Sequence, residues 1–98
     1  MVRLNWTHIA LDDLRAIYDY IARDSVKYAQ ITVNKIYFQA EIAIKQPRAT
    51  RMVPELNDPD IREIISGQYR IIFRVITKEQ MDIIRIYHTA RKLSSSKI

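Results

Sequence analysis

Residues 82–93, Asp-Ile-Ile-Arg-Ile-Tyr-His-Thr-Ala-Arg-Lys-Leu, alternate like a strand until His88 and then close on Arg91 and Lys92. His88 is one of two histidines in the chain, and an imidazole with an ordinary pKa of about 6.5 exchanges protons at neutral pH. It therefore suits a general acid or base. Parity gives a second reading. In register with Ile84 and Ile86, His88 points toward the core unless a bulge intervenes, and it then serves as a half-buried, hydrogen-bonded strand end. Alternation in the preceding strand places Arg70, Ile72, Arg74 and Ile76 on one side and Tyr69, Ile71, Phe73 and Val75 on the other. With Arg85 outward in the last strand, Arg70, Arg74 and Arg85 are expected on one open sheet face among Ile72, Ile76 and Ile83. Mixed apolar and cationic surface of this kind suits binding. The alternative is that the three arginines pair across strands with Glu63, Asp82 and Glu79.

The chain that must position these residues has 98 amino acids, enough for one domain over 1–98 with one modest core. Apolar residues make up 48% and charged residues 28%, a balance that supports a packed fold over global disorder. Cysteine is absent, which excludes disulfides, thiolate-bound zinc and a thiol nucleophile. Two histidines and scattered carboxylates make a poor metal set, so no metal or cofactor is expected. The N-terminus meets charges too early for a signal peptide, and no apolar run approaches the roughly 20 residues that span a bilayer. A soluble, cytoplasmic protein without membrane contact is expected. The formal charge of +5 is concentrated in residues 47–98, which carry ten Lys/Arg against six Asp/Glu. Such an excess suits nucleic acid or an acidic polypeptide as partner.

Val2–Asn5 alternates as a brief strand. Thr7 is placed to cap a helix over about residues 7–23, with Trp6 and Leu11 at the positions of a hydrophobic staple. Asp12 and Asp13 suit its dipole. Asp24-Ser25 opens a second helix over about 26–45, ended by Gln46-Pro47. This hairpin needs a third surface, and β-rich runs at 61–65, 69–76 and 81–88 supply it. Gly67, the only glycine, is expected at positive φ in the first turn. Residues 94–98 are expected to fray. The fold class is thus α+β, a short strand, a two-helix hairpin and an antiparallel three-stranded sheet.

In order and spacing, several segments resemble the RelE/ParE superfamily of type II toxin–antitoxin toxins. They are Trp6-Thr7 with Ala10, Asp13-Leu14, Ile17 and Tyr20-Ile21; Arg51-Met52-Val53-Pro54-Glu55-Leu56 after Pro47; Ile61-Arg62-Glu63-Ile64; Tyr69-Arg70-Ile71-Ile72-Phe73-Arg74; and Ile86 through Leu93. Thr50 departs from the glycine common in the family before the residue matching Arg51. The resemblance implies the same β-α-α-β-β-β order, and it implies one of two activities.

RelE-like members cut messenger RNA on the ribosome, and ParE-like members poison DNA gyrase. The nuclease lysines fall on Ile61 and Glu63 here, the later arginine falls at or near Thr89, and no tyrosine follows Tyr87. A histidine near the end of the last strand occurs in other nuclease branches, so His88 with Arg70 and Arg91 is the candidate catalytic set for cleavage. The long hairpin and the Arg51–Leu56 segment look ParE-like and favour gyrase inhibition, with Arg51, Arg70, Arg74, Arg85, Arg91 and Lys92 as candidate target contacts and no chemistry. An inactive antitoxin-binding module is the third possibility. All three imply a small antitoxin with an acidic, partly disordered segment that lands on the hairpin and the basic sheet face.

Overall fold

The computed structural model describes residues 2–89. Its elements are β1 (Arg3–Trp6), α1 (His8–Ala22), α2 (Val26–Ala43), a short 3-10 turn (Pro47–Ala49), β2 (Arg51–Met52), β3 (Ile61–Ser66), β4 (Tyr69–Thr77) and β5 (Gln80–His88). The expected α+β order is present, but the sheet has five strands in the order β1-β5-β4-β3-β2. β1 joins β5 in parallel, from Arg3 opposite Gln80 to Trp6 opposite Ile83, and β2 adds two residues beside Arg62 and Glu63. Alternation in Val2–Asn5 marks a strand without naming its neighbour, and two residues are too few to show alternation at all.

Both helices begin where their caps predict. Thr7 Oγ1 accepts from the Ala10 amide at 3.2 Å and donates to the Ile83 carbonyl at 2.8 Å, so one hydroxyl starts α1 and ties it to β5. Ser25 Oγ accepts from the Tyr28 amide at 3.0 Å. Regular α2 ends at Ala43 because the Lys45 and Gln46 amides turn back to the Ile42 and Ala43 carbonyls in a tighter 3-10 pattern before Pro47. Trp6 stacks on Tyr37 of α2, rings 5.4 Å apart and 7° from parallel, while Leu11 is exposed. The tryptophan thus fixes β1 to α2.

The main core lies between the helices and the inner sheet face. Ala10, Ile36, Ala40 and Ala43 meet Ile71, Phe73, Met81, Ile83 and Ile86, with Tyr69 and Val75 at the margin, as parity in β4 predicts. β5 breaks parity. Ile72 faces Arg85 and Phe73 faces Ile83, so Ile84 is an extra residue in a bulge. Ile83 therefore packs inward with Ile86, and Ile84 joins the outer side, which reverses the expected assignment of both. The outer face is not open either. Residues 53–57 fold back over it, held by the Val53 amide on the Ile61 carbonyl and by the Leu56 and Asn57 amides on the Val53 carbonyl. Val53, Ile61, Ile72 and Tyr87 form a second core there, flanked by Leu56 and Ile84.

The β3–β4 turn places Gly67 at φ +59°, as expected. Thr50 sits at φ −82°, ψ 165°, extended backbone that needs no glycine, so its departure from the family pattern carries no strain.

Candidate functional site

The residues singled out by type converge on the outer sheet face, but in a closed arrangement. Arg70 leaves β4 opposite Tyr87, and its side chain is 7% exposed. Its Nε and Nη2 reach Glu63 Oε1 at 2.8 and 2.6 Å, and its Nη1 and Nη2 donate to Glu55 Oε2 and Oε1 at 2.7 and 2.8 Å. The second Glu63 oxygen lies 2.8 Å from Arg51 Nε, close enough for an ion pair but not aligned as a hydrogen bond. Two arginines and two glutamates thus balance in charge. The hydrogen bonds that Arg70 donates to Glu55 raise its pKa above its ordinary value; burial opposes this, and Glu63 adds to it. The Arg70 guanidinium is thus already occupied by both carboxylates. As built, the cluster is a clamp that pins the 53–57 segment to the sheet, and not an anion site.

Arg51 stands at the rim, its side chain mostly exposed, beside a hollow of about 540 Å3 that Glu55, Glu63, Ile65 and Thr89 also line. Arg85 does not join this group. Its Nε and Nη2 donate to the Asp13 carboxylate of α1 at 2.8 and 3.1 Å, and its guanidinium lies 4.7 Å from the centre of the Tyr87 ring. Asp13 also accepts from the Ile86 amide at 2.9 Å, closing the β5 edge beyond the end of β1. The hydrogen bonds that Arg85 donates to Asp13 raise its pKa. Arg74 is half-buried, level with Ile61 and Asp82, and has no ion pair among the described residues. Of the expected cross-strand pairs, Arg70 with Glu63 forms, whereas Arg85 turns to Asp13 in place of Glu79. Arg91 and Lys92 lie outside the described residues.

His88 is on the other side. It faces Tyr69 across the β4–β5 pair and meets that ring edge-on at 5.9 Å, on the helix side, while Arg70 is on the outer side. It is exposed where a half-buried side chain was expected. The sheet therefore separates His88 from Arg70, and a histidine–arginine cleavage pair is not assembled in this structure. Among the described residues no group of three or more histidines and carboxylates is placed to hold a metal, and no helix is long and apolar enough to cross a membrane.

The feature that residue types alone did not flag is the outer side of the hairpin. Tyr20, Tyr28, Ile31, Phe38 and Ile42 are each at least half exposed. At one end Tyr20, Tyr28 and Tyr69 flank a groove of about 450 Å3 floored by Ile36 and by Ser66 to Gln68. Burial raises the Tyr69 pKa, with Tyr20 and Tyr28 adding to the effect. The available signal was the apolar content of α2, which exceeds what one buried stripe uses.

Residues 4–93 match the sequence model of the family described as ParE toxin of type II toxin-antitoxin system, parDE. A solved structure titled "Chromosomal ParDE TA system from P. aeruginosa" superposes with a TM-score of 0.73 at 26% identity, covering 90% of this chain and 96% of that one. No curated protein sequence matches significantly. With the family's match spanning nearly the whole length and the hairpin-on-sheet fold in place, this chain belongs to the ParE toxin family of type II toxin–antitoxin systems.

Proposed function

We propose that this toxin acts by binding and not by cleavage: it inhibits DNA gyrase, and a small antitoxin that covers the hairpin neutralises it. The observation that carries this reading is the sequestration of Arg70. A nuclease needs its phosphate clamp open to substrate and within reach of its proton-transfer group. Here Arg70 is held by Glu55 and Glu63 on one face, and His88 lies against Tyr69 on the other. Arg51 at the rim, Arg74, and Arg91 and Lys92 at the chain's end remain the candidate gyrase contacts. The antitoxin's place is supported by the exposed side chains of Tyr20, Tyr28 and Ile31, a contiguous apolar surface of the kind that takes an amphipathic segment.

The test is supercoiling of relaxed plasmid by purified gyrase in the presence of the toxin. Supercoiling falls with toxin concentration and recovers when the antitoxin is added. Undisturbed supercoiling, with new message ends at the ribosomal A site in a toeprinting assay, would replace this reading with the ribonuclease. Harmless expression of the chain alone would leave only the inactive module.

A further inference from the structure

The outer side of α2 carries a second stripe, separate from the one that packs in the core. Ala29, Ile36, Ala40 and Ala43 are buried beneath the helix. Tyr28, Ile31, Lys35, Phe38, Ile42 and Lys45 are exposed, spaced 3, 4, 3, 4 and 3 residues apart along the helix and its last turn. That is the spacing of a helix–helix seam, and it follows α2 for its full length of roughly 27 Å at 1.5 Å per residue. Its order is aromatic, isoleucine, lysine, then aromatic, isoleucine, lysine again. Reversed, the same string sets each aromatic against a lysine and each isoleucine against an isoleucine.

We propose that the free toxin associates with a second copy of itself through this seam, the two α2 helices running antiparallel about a two-fold axis between Lys35 and Phe38. A two-fold interface requires a surface complementary to itself, and this one is. Ile31 meets the partner's Ile42 in two apolar layers. Lys35 meets the partner's Phe38 in the two central layers, and Lys45 meets the partner's Tyr28 at the ends, each a cation over an aromatic ring. A parallel arrangement sets Lys35 on Lys35 and Lys45 on Lys45 and is excluded by repulsion. The dimer does not depend on gyrase being the target. It covers the surface assigned above to the antitoxin, so antitoxin and second copy exclude one another.

Sedimentation velocity of the full chain, freed of antitoxin, tests this. Wild type sediments with twice the chain mass, and the dimer dissociates on dilution. Phe38→Lys brings lysine against lysine in both central layers and yields a monomer. The exchange Lys35→Phe with Phe38→Lys restores aromatic–lysine layers in the antiparallel register and restores the dimer. These side chains are exposed, so circular dichroism should show all three proteins folded. A wild-type monomer at every concentration, a dimer that survives Phe38→Lys, or an exchanged variant that stays monomeric overturns the proposal. If wild type is monomeric and Phe38→Lys abolishes antitoxin capture, the seam belongs to the antitoxin, and the dimer is equally overturned.

Discussion

On the outer face of the sheet, Arg51, Glu55, Glu63 and Arg70 neutralise one another around a nearly buried guanidinium; on the outer side of the hairpin, Tyr20, Tyr28, Ile31 and Phe38 stand in water. By composition the first region resembles a binding surface and the second resembles a core. The structure inverts this. Buried charges need partners, so a cluster of arginines on a sheet can be a structural clamp. Aromatic and aliphatic side chains left exposed at helical spacing need a cover, and an external partner provides one. Substitutions in the two regions should separate stability from binding.

The largest effect belongs to the clamp. Glu63→Ala removes the carboxylate shared by Arg70 and Arg51 at a position with no side-chain exposure. Arg70 keeps Glu55, so the loss should lie toward the lower end for a broken buried pair, about 3 kcal/mol, read as a fall in the urea midpoint at constant slope. If stability is unchanged, the cluster does not clamp the 53–57 segment to the sheet. Next is Asp13→Ala, which strips both hydrogen bonds from Arg85 and leaves the Ile86 amide uncapped. About 2 kcal/mol is expected for these part-buried groups, with hydrogen exchange at Ile86 accelerated.

These two residues also show how much the sequence discloses. The helices, the three long strands, the caps at Thr7 and Ser25, and the positive φ of Gly67 follow from local spacing, because a local pattern causes them. The bulge at Ile84 does not, because a single inserted residue leaves the run Met81–Tyr87 looking regular while reversing which isoleucines face the helices. Asp13 and Arg85 are 72 residues apart, so the first turns of α1 suggest only a favourable helix dipole. Glu55 lies within the recognised Arg51–Leu56 segment, but its role depends on residues 53–57 folding back over the sheet. The candidate site was thus legible in part: Arg70 and its cross-strand partner Glu63 could be read from alternation, but the closure of the pair by Glu55 could not.

Gly67→Ala lies between the two regions, in the turn that closes the hairpin groove. The residue is at φ +59° with nothing within 4 Å of an added Cβ, so the whole effect is backbone strain, about 1 kcal/mol. A larger loss would mean that the turn moves and takes the groove floor with it. Tyr69, in the same groove, tests solvent access directly. Its folded pKa is raised above 10.0, chiefly by burial. The stability linked to its proton is therefore fully present below the unfolded value and is lost as pH rises through the folded one. Spectroscopic titration should show the Tyr69 phenol ionising above its ordinary value, and later still when a partner covers the groove.

The smallest effect on stability should come from Tyr20→Ser. Its ring is 69% exposed in the groove wall beside Tyr28. Removing a side chain that is already in water should change the urea midpoint by less than about 0.5 kcal/mol. Exposed aromatic anchors in a groove are where binding energy concentrates, so the same change should weaken antitoxin capture in a titration by at least tenfold, or about 1.4 kcal/mol. A Tyr20 variant that loses stability but keeps its antitoxin would make the hairpin side a poorly covered core. One that keeps its fold and loses the antitoxin makes it the surface that the antitoxin docks on, with Glu63→Ala as its opposite.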